Sequence, residues 1–224
     1  SEFAARGYTQ PVTGIIYRGR PRPTCGMPLG GLDTGCVDVE TNGMLGYMTI
    51  FNQLVNPRRT ANVPFLAVAM NGDSCILATD GKGKRERPLF GETGLWPPFD
   101  YSPAYFDVGL KDEVRFAKSI DYWGHYPIVD MQYQTHLPVE ISLRAFAPLI
   151  PGDTKTSMTP GVLFEIVLTN PTDRQQVGTL AITLPGFQTN PEEPAGTVRK
   201  QLTGTLDGVQ VKATSASGAP VEYV

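Results

Sequence analysis

Ile128-Val129-Asp130-Met131-Gln132-Tyr133-Gln134-Thr135, then His136-Leu137-Pro138, then Val139-Glu140-Ile141-Ser142-Leu143-Arg144-Ala145-Phe146 is the stretch that decides the fold. Apolar and polar residues alternate through both runs, and a period of two is that of a strand with one face packed and the other wet. The proline-bearing tripeptide interrupts the alternation, so two strands joined by a turn are expected, with Val139, Ile141, Leu143 and Ala145 on one packed face.

Working outward, the same signals recur. Leu66 to Met70 and Cys75 to Thr79 flank Asn71-Gly72-Asp73, and Asn-Gly between apolar runs marks a hairpin because both residues tolerate positive φ. Met44 to Phe51 reads as a strand. Val37 to Tyr47, with Thr41-Asn42-Gly43 inside it, reads as strand, turn and strand. Gly161 to Thr169 and Val177 to Leu184 bracket the turn Asn170-Pro171-Thr172-Asp173 and are expected to form another antiparallel pair. Asp107 to Ile120 fits helical and strand spacing alike, and leans to strand. Glu86 to Pro103, proline-rich and carrying Trp96, Phe99 and Tyr101, reads as a long irregular loop. Thr197 to Val224 reads as further strands around Ser215-Ala216-Ser217-Gly218. The chain runs out inside a strand, and the unpaired edge this leaves leads us to expect more polypeptide after Val224.

Composition agrees with many short strands: 24 glycines and 20 prolines among 224 residues leave little uninterrupted sequence for long helices. The fold class expected is all-β, an antiparallel β-sandwich that stops short at its C-terminal end. Residues 1–6 read as a leader, either cloning-derived (Ser1-Glu2-Phe3) or disordered, and residues 7–224 as one sandwich domain. A net charge of −3 with scattered basic residues argues against nucleic acid as a partner, and the run Lys82 to Arg87 reads as a solvated loop. No apolar run reaches the roughly 18–20 residues of a membrane span. Three cysteines, Cys25, Cys36 and Cys75, make neither a CxxC pair nor an even set and read as reduced thiols. Proline blocks the sequon at Asn170-Pro171-Thr172, and no export signal is visible, so a cytoplasmic location is expected.

Few constellations carry chemistry. The glycine cluster from Gly26 to Gly35 precedes no helix and no Walker lysine, so tight turns explain it better than phosphate binding. His125 and His136 lie in no metal-binding or triad pattern and read as structural; no metal or cofactor is expected. Flat aromatic rings beside polar groups are what a sugar site needs, which singles out Trp96 and Tyr101 in one cluster and Trp123 and His125 in another. Glycoside hydrolysis uses two carboxylates. Asp121 and Asp130 would be the pair if this domain acted alone, but lone acids in loops are usually just solvated.

Three stretches, in this order, resemble the amino-terminal domain of glycoside hydrolase family 116, which includes non-lysosomal glucosylceramidases and bacterial β-glucosidases. They are Gly26-Met27-Pro28-Leu29-Gly30-Gly31-Leu32 through Gly35-Cys36 with Ile50-Phe51-Asn52, Leu137-Pro138-Val139-Glu140 through Ala145-Phe146-Ala147-Pro148-Leu149-Ile150-Pro151-Gly152-Asp153, and Leu168-Thr169-Asn170-Pro171-Thr172-Asp173. Asp33 departs from the family's loop, which is similar to Gly-Gly-Ile-Gly-Thr-Gly. The resemblance implies a retaining β-glycosidase whose nucleophilic glutamate and acid/base aspartate lie in a C-terminal (α/α)6 catalytic domain, so no catalytic residue is expected here and the chain alone should be inactive. It further implies that the sandwich braces that domain, with Met27, Gly30, Gly31 and Asp33 in the interface loop, in an enzyme acting on a β-glucoside or glucosylceramide-like substrate. An independent carbohydrate-binding sandwich, and a stand-alone relative that lost the enzyme, are the alternatives.

Overall fold

At the tip of the Asn71-Gly72 turn both residues hold positive φ, 54° and 84°, as a type I′ hairpin requires. A computed structural model describes this turn and the rest of residues 1–20, 26–50, 63–79, 115–183, 198–202, 208–214 and 220–223. The expected loop at Glu86 to Pro103, the run Lys82 to Arg87, and Cys25 lie outside the described residues.

The strands follow one another as β1 (Glu2–Phe3), β2 (Val12–Thr13), β3 (Ile15–Tyr17), β4 (Met27–Leu29), β5 (Gly35–Val39), β6 (Met44–Ile50), β7 (Val63–Pro64), β8 (Leu66–Met70), β9 (Asp73–Ile76), β10 (Arg115–Phe116), β11 (Ser119–His125), β12 (Ile128–Gln134) and β13 (Glu140–Phe146). A single-turn helix α1 (Thr154–Ser157) precedes β14 (Leu163–Thr169) and β15 (Gly178–Ile182), and then come β16 (Val198–Leu202), β17 (Gly208–Thr214) and β18 (Pro220–Tyr223). The chain divides into two compact units, Ser1–Thr183 and Leu184–Val224. The second holds an antiparallel sheet in the order β16-β17-β18, the strands expected of the tail.

In the first unit a five-stranded sheet, β14-β13-β12-β11-β3, faces two four-stranded sheets, β4-β5-β6-β7 and β10-β9-β8-β15. One core joins them. The inward residues Ile120, Tyr122, Val129, Met131, Ile141, Leu143 and Ala145 of the first sheet cluster with Leu29, Val39 and Leu45 of the second and Leu66, Val68 and Cys75 of the third. The alternation seen in sequence is what builds it, since β13 is buried at every second residue. Each such aliphatic side chain contributes on the order of 1.5–3 kcal/mol by leaving water. Tyr122 also donates its phenol to the Val39 carbonyl at 3.1 Å, tying the layers with a buried hydrogen bond. The fold is thus an all-β sandwich. Burial pushes the Cys75 thiol up to about 11, so it stays protonated in the core.

Two pairings differ from the sequence expectation. β14 and β15 do not pair with each other: β14 joins β13 in one layer and β15 joins β8 in the other. The connecting turn spans the sandwich, with Asn170 Oδ1 accepting from the Thr172 amide at 3.0 Å and the Gln176 carboxamide drawn to the β8–β9 turn by Asn71 Nδ2 at 2.6 Å. The sandwich is also not purely antiparallel, because β10 runs parallel to β9, with Arg115 opposite Cys75.

Candidate functional site

The glycine loop between β4 and β5 meets the segment around α1. Leu32 donates its amide to the Ser157 carbonyl at 2.8 Å, and Thr34 closes the loop by donating both amide and hydroxyl to the Gly31 carbonyl, at 3.1 and 2.9 Å. A Cβ at Gly31 would overlap the Thr159 carbonyl, so close backbone approach requires glycine there. Asp33 sits at φ 61°, a left-handed conformation that Asp tolerates better than most residues and that a glycine would hold without strain.

The other half of this platform is Pro148 to Asp153. Ser157 Oγ accepts from the Ile150 amide at 2.9 Å and donates to the Ile150 carbonyl at 3.1 Å. Asp153 caps α1, accepting from the Thr156 hydroxyl at 2.6 Å and the Thr156 amide at 3.0 Å. These bonds hold its carboxyl below the usual carboxylate range, the hydroxyl contributing most. Around the joint, Leu32, Leu149, Ile150 and Met158 are exposed, at 44%, 36%, 49% and 42%. Large apolar side chains gathered on backbone-locked loops form an interaction-type surface. Of the residues expected in the interface loop, Gly30, Gly31 and Asp33 lie here, while Met27 packs against the core. The four exposed side chains were missed from sequence, although apolar residues in a loop flanked by proline and glycine, as in Pro148-Leu149-Ile150-Pro151, are themselves a signal.

Trp123 and His125 lie on the outward face of β11, away from this platform's loops in the chain; Trp96 and Tyr101 fall outside the described residues. His125 is 6% exposed, under the ring edges of Phe3 and Tyr8, both 5.5 Å from it. Asp130, opposite Trp123, is gripped by Arg144, whose Nε and Nη2 donate at 2.6 and 2.8 Å. That hydrogen bond keeps the Arg144 guanidinium protonated, its pKa raised above the ordinary value. Arg144 also donates to the Arg6 carbonyl at 2.8 Å, and Arg6 reaches Glu165 at 2.6 Å, so residues 1–6 include β1 and a clasp onto β14. Asp121 is held by Arg18 at 2.9 Å. His136 Nε2 stands 3.1 Å from Asp73 Oδ2, and Asp73 lies below the usual range chiefly because the Ser74 amide donates to it. Asp121, Asp130 and Glu165 thus pair with arginines, Asp153 caps α1, and Asp73 accepts from the Ser74 amide. Among the described residues, no group of three His, Cys, Asp or Glu side chains could hold a metal ion, and no helix is long and apolar enough to cross a membrane.

Fold and side-chain chemistry together define a β-sandwich module in which several acids fasten strands and loops and exposed apolar side chains surround a hydrogen-bonded loop joint. The family model described as beta-glucosidase 2, glycosyl-hydrolase family 116 N-term, matches residues 26–221, and the chain belongs to that family. The span takes in all three stretches on which the resemblance rested. No curated protein matches the chain.

Proposed function

We propose that this chain is the non-catalytic N-terminal sandwich of a retaining β-glucosidase or glucosylceramidase-like hydrolase, and that it braces an (α/α)6 catalytic domain holding the nucleophile and the acid/base. The observation that carries the reading is the linking of two of the three family-like stretches, Gly26 to Cys36 and Leu137 to Asp153, through Ser157, which accepts from the Leu32 amide and bonds the Ile150 amide and carbonyl. Residues distant in sequence that converge on an exposed apolar surface suit a fixed partner better than a soluble substrate. On this reading Gly30, Gly31 and Asp33 shape the joint, and Leu32, Ile150 and Met158 supply contact. The carboxylate chemistry described above supports assigning catalysis to another part of the enzyme. β-Glucosides or glucosylceramide-like lipids are the substrate class of the whole enzyme, and a cytoplasmic location fits reduced thiols at Cys36 and Cys75.

Co-purification of the sandwich with a separately tagged family 116 catalytic domain tests the proposal. The pair is expected to co-elute, and Ile150→Asp or Leu32→Asp to weaken association by at least about tenfold, the loss of roughly one buried aliphatic contact. Unchanged association in the folded double variant would remove this joint from the interface.

A further inference from the structure

Asparagine followed by glycine occurs twice in the chain, at Asn42-Gly43 and at Asn71-Gly72, and the fold treats the two pairs differently. The dipeptide is chemically labile. With no side chain on its second residue, the backbone nitrogen there reaches the asparagine carboxamide with little steric hindrance and displaces ammonia.

Asn42 is protected. It is fully buried at the tip between β5 and β6, its Oδ1 accepts from the Met44 amide at 3.3 Å, and its carbonyl accepts from the Thr79 amide at 3.0 Å. The attacking nitrogen is engaged as well, since the Gly43 amide donates to the Glu40 carbonyl at 3.1 Å. Reaction there requires the hairpin to open.

Asn71 stands in the opposite setting. Asn71 and Gly72 are both exposed at the β8–β9 turn, and open space surrounds the position that a Gly72 Cβ would take. Exposed turn tips are where the chain is most open to chemical attack. One bond restrains the carboxamide: Asn71 Nδ2 donates to Gln176 Oε1 at 2.6 Å. Gln176 lies in the connection between β14 and β15, and its own Nε2 donates to the Thr172 hydroxyl at 3.2 Å.

We propose that Asn71 is a site of spontaneous deamidation, held in check by Gln176, and that its conversion releases the β8–β9 turn from the β14–β15 connection. The Gly72 amide gives its proton to hydroxide, and the nitrogen attacks Asn71 Cγ. The Cγ–Nδ2 bond breaks, ammonia leaves with a proton from water, and a five-membered succinimide closes. Water then opens the ring at either carbonyl, so that one water is consumed and one ammonia released for each aspartate or isoaspartate formed. Both products lack the Nδ2 donor and set a carboxylate against Gln176 Oε1, which turns an attraction into a repulsion. Isoaspartate also adds a carbon to the main chain within a two-residue turn, which disturbs the pairing of Met70 with Asp73.

Peptide mapping by mass spectrometry, on the purified full chain held in warm, mildly alkaline buffer, tests the proposal. The peptide containing Asn71 is expected to become one mass unit heavier and to split into aspartate and isoaspartate forms, while Asn42 converts at least about tenfold more slowly because it reacts only from an opened hairpin. Gln176→Ala frees the carboxamide and should hasten conversion at Asn71 several-fold. Asn71→Asp, which installs one product directly, should remain folded with a lower urea midpoint than wild type. Persistence of Asn71 in the folded chain while an unfolded peptide of residues 66–78 converts would overturn the site. Equal rates at Asn42 and Asn71, or a Gln176→Ala rate no faster than wild type, would overturn the protection assigned to burial and to Gln176. An Asn71→Asp chain as stable as wild type would overturn the release.

Discussion

Asp33 and Asp153 show how single residues set the candidate interface. Asp33 occupies a backbone conformation, φ 61°, that costs an ordinary L-residue about 1–2 kcal/mol. Asp33→Gly is therefore expected to leave urea-unfolding stability unchanged or slightly raised, and Asp33→Val to lower it by about 1–2 kcal/mol; equal midpoints for both variants would refute the left-handed assignment. Asp153 carries a pH signature. Its carboxyl is depressed in the fold by the Thr156 hydroxyl and amide. Its stabilising effect is present in full above the unfolded value of about 3.9 and fades as pH falls through the lower folded value. The melting temperature of wild type should exceed that of Asp153→Asn at pH 7, and the gap should close as pH drops below about 4. A gap that widens toward acid would contradict the capping geometry.

Among elements, the two tight glycines differ in a testable way. Gly72 holds φ 84° and has open space where a Cβ would stand, so Gly72→Ala meets only backbone strain, about 1–2 kcal/mol. Gly31 faces the Thr159 carbonyl, so Gly31→Ala must shift backbone and is expected to cost more and to loosen the Leu32–Ser157 joint, read as faster amide exchange at Leu32. The reverse ranking in urea unfolding would show the joint to be soft. The β8–β9 and β12–β13 hairpins were legible in the sequence because local chemistry, Asn71-Gly72 and strict alternation, determines them. The separation of β14 from β15 was not, because alternation states which residues face the core but not which layer a strand joins; that depends on distant bonds such as Asn71 to Gln176. The tight turns of the loop between β4 and β5 could be read in advance from its glycines, whereas the bond from Leu32 to Ser157 and the packing of Met27 against the core could not. The parallel β9–β10 pair left no local mark at all.

For the whole molecule, the fold supplies a layered core and an exposed joint, and five of the described acids, Glu165, Asp121, Asp130, Asp153 and Asp73, are tied to Arg6, Arg18, Arg144, Thr156 and Ser74 respectively. A residue holding an ion pair or a cap is poorly placed to cycle a proton near neutral pH. Membership of family 116 places this sandwich in the setting of a glycoside hydrolase, and the proposed division of labour assigns the chemistry to its partner domain. The most direct measurement is release of chromophore from an aryl β-glucoside by the purified chain, assayed alone and after addition of the catalytic domain. Turnover at the uncatalysed rate is expected for the chain alone and enzymatic turnover for the pair. Hydrolysis by the isolated chain that survives stringent purification, and disappears on mutation of Asp121 or Asp130, would contradict it.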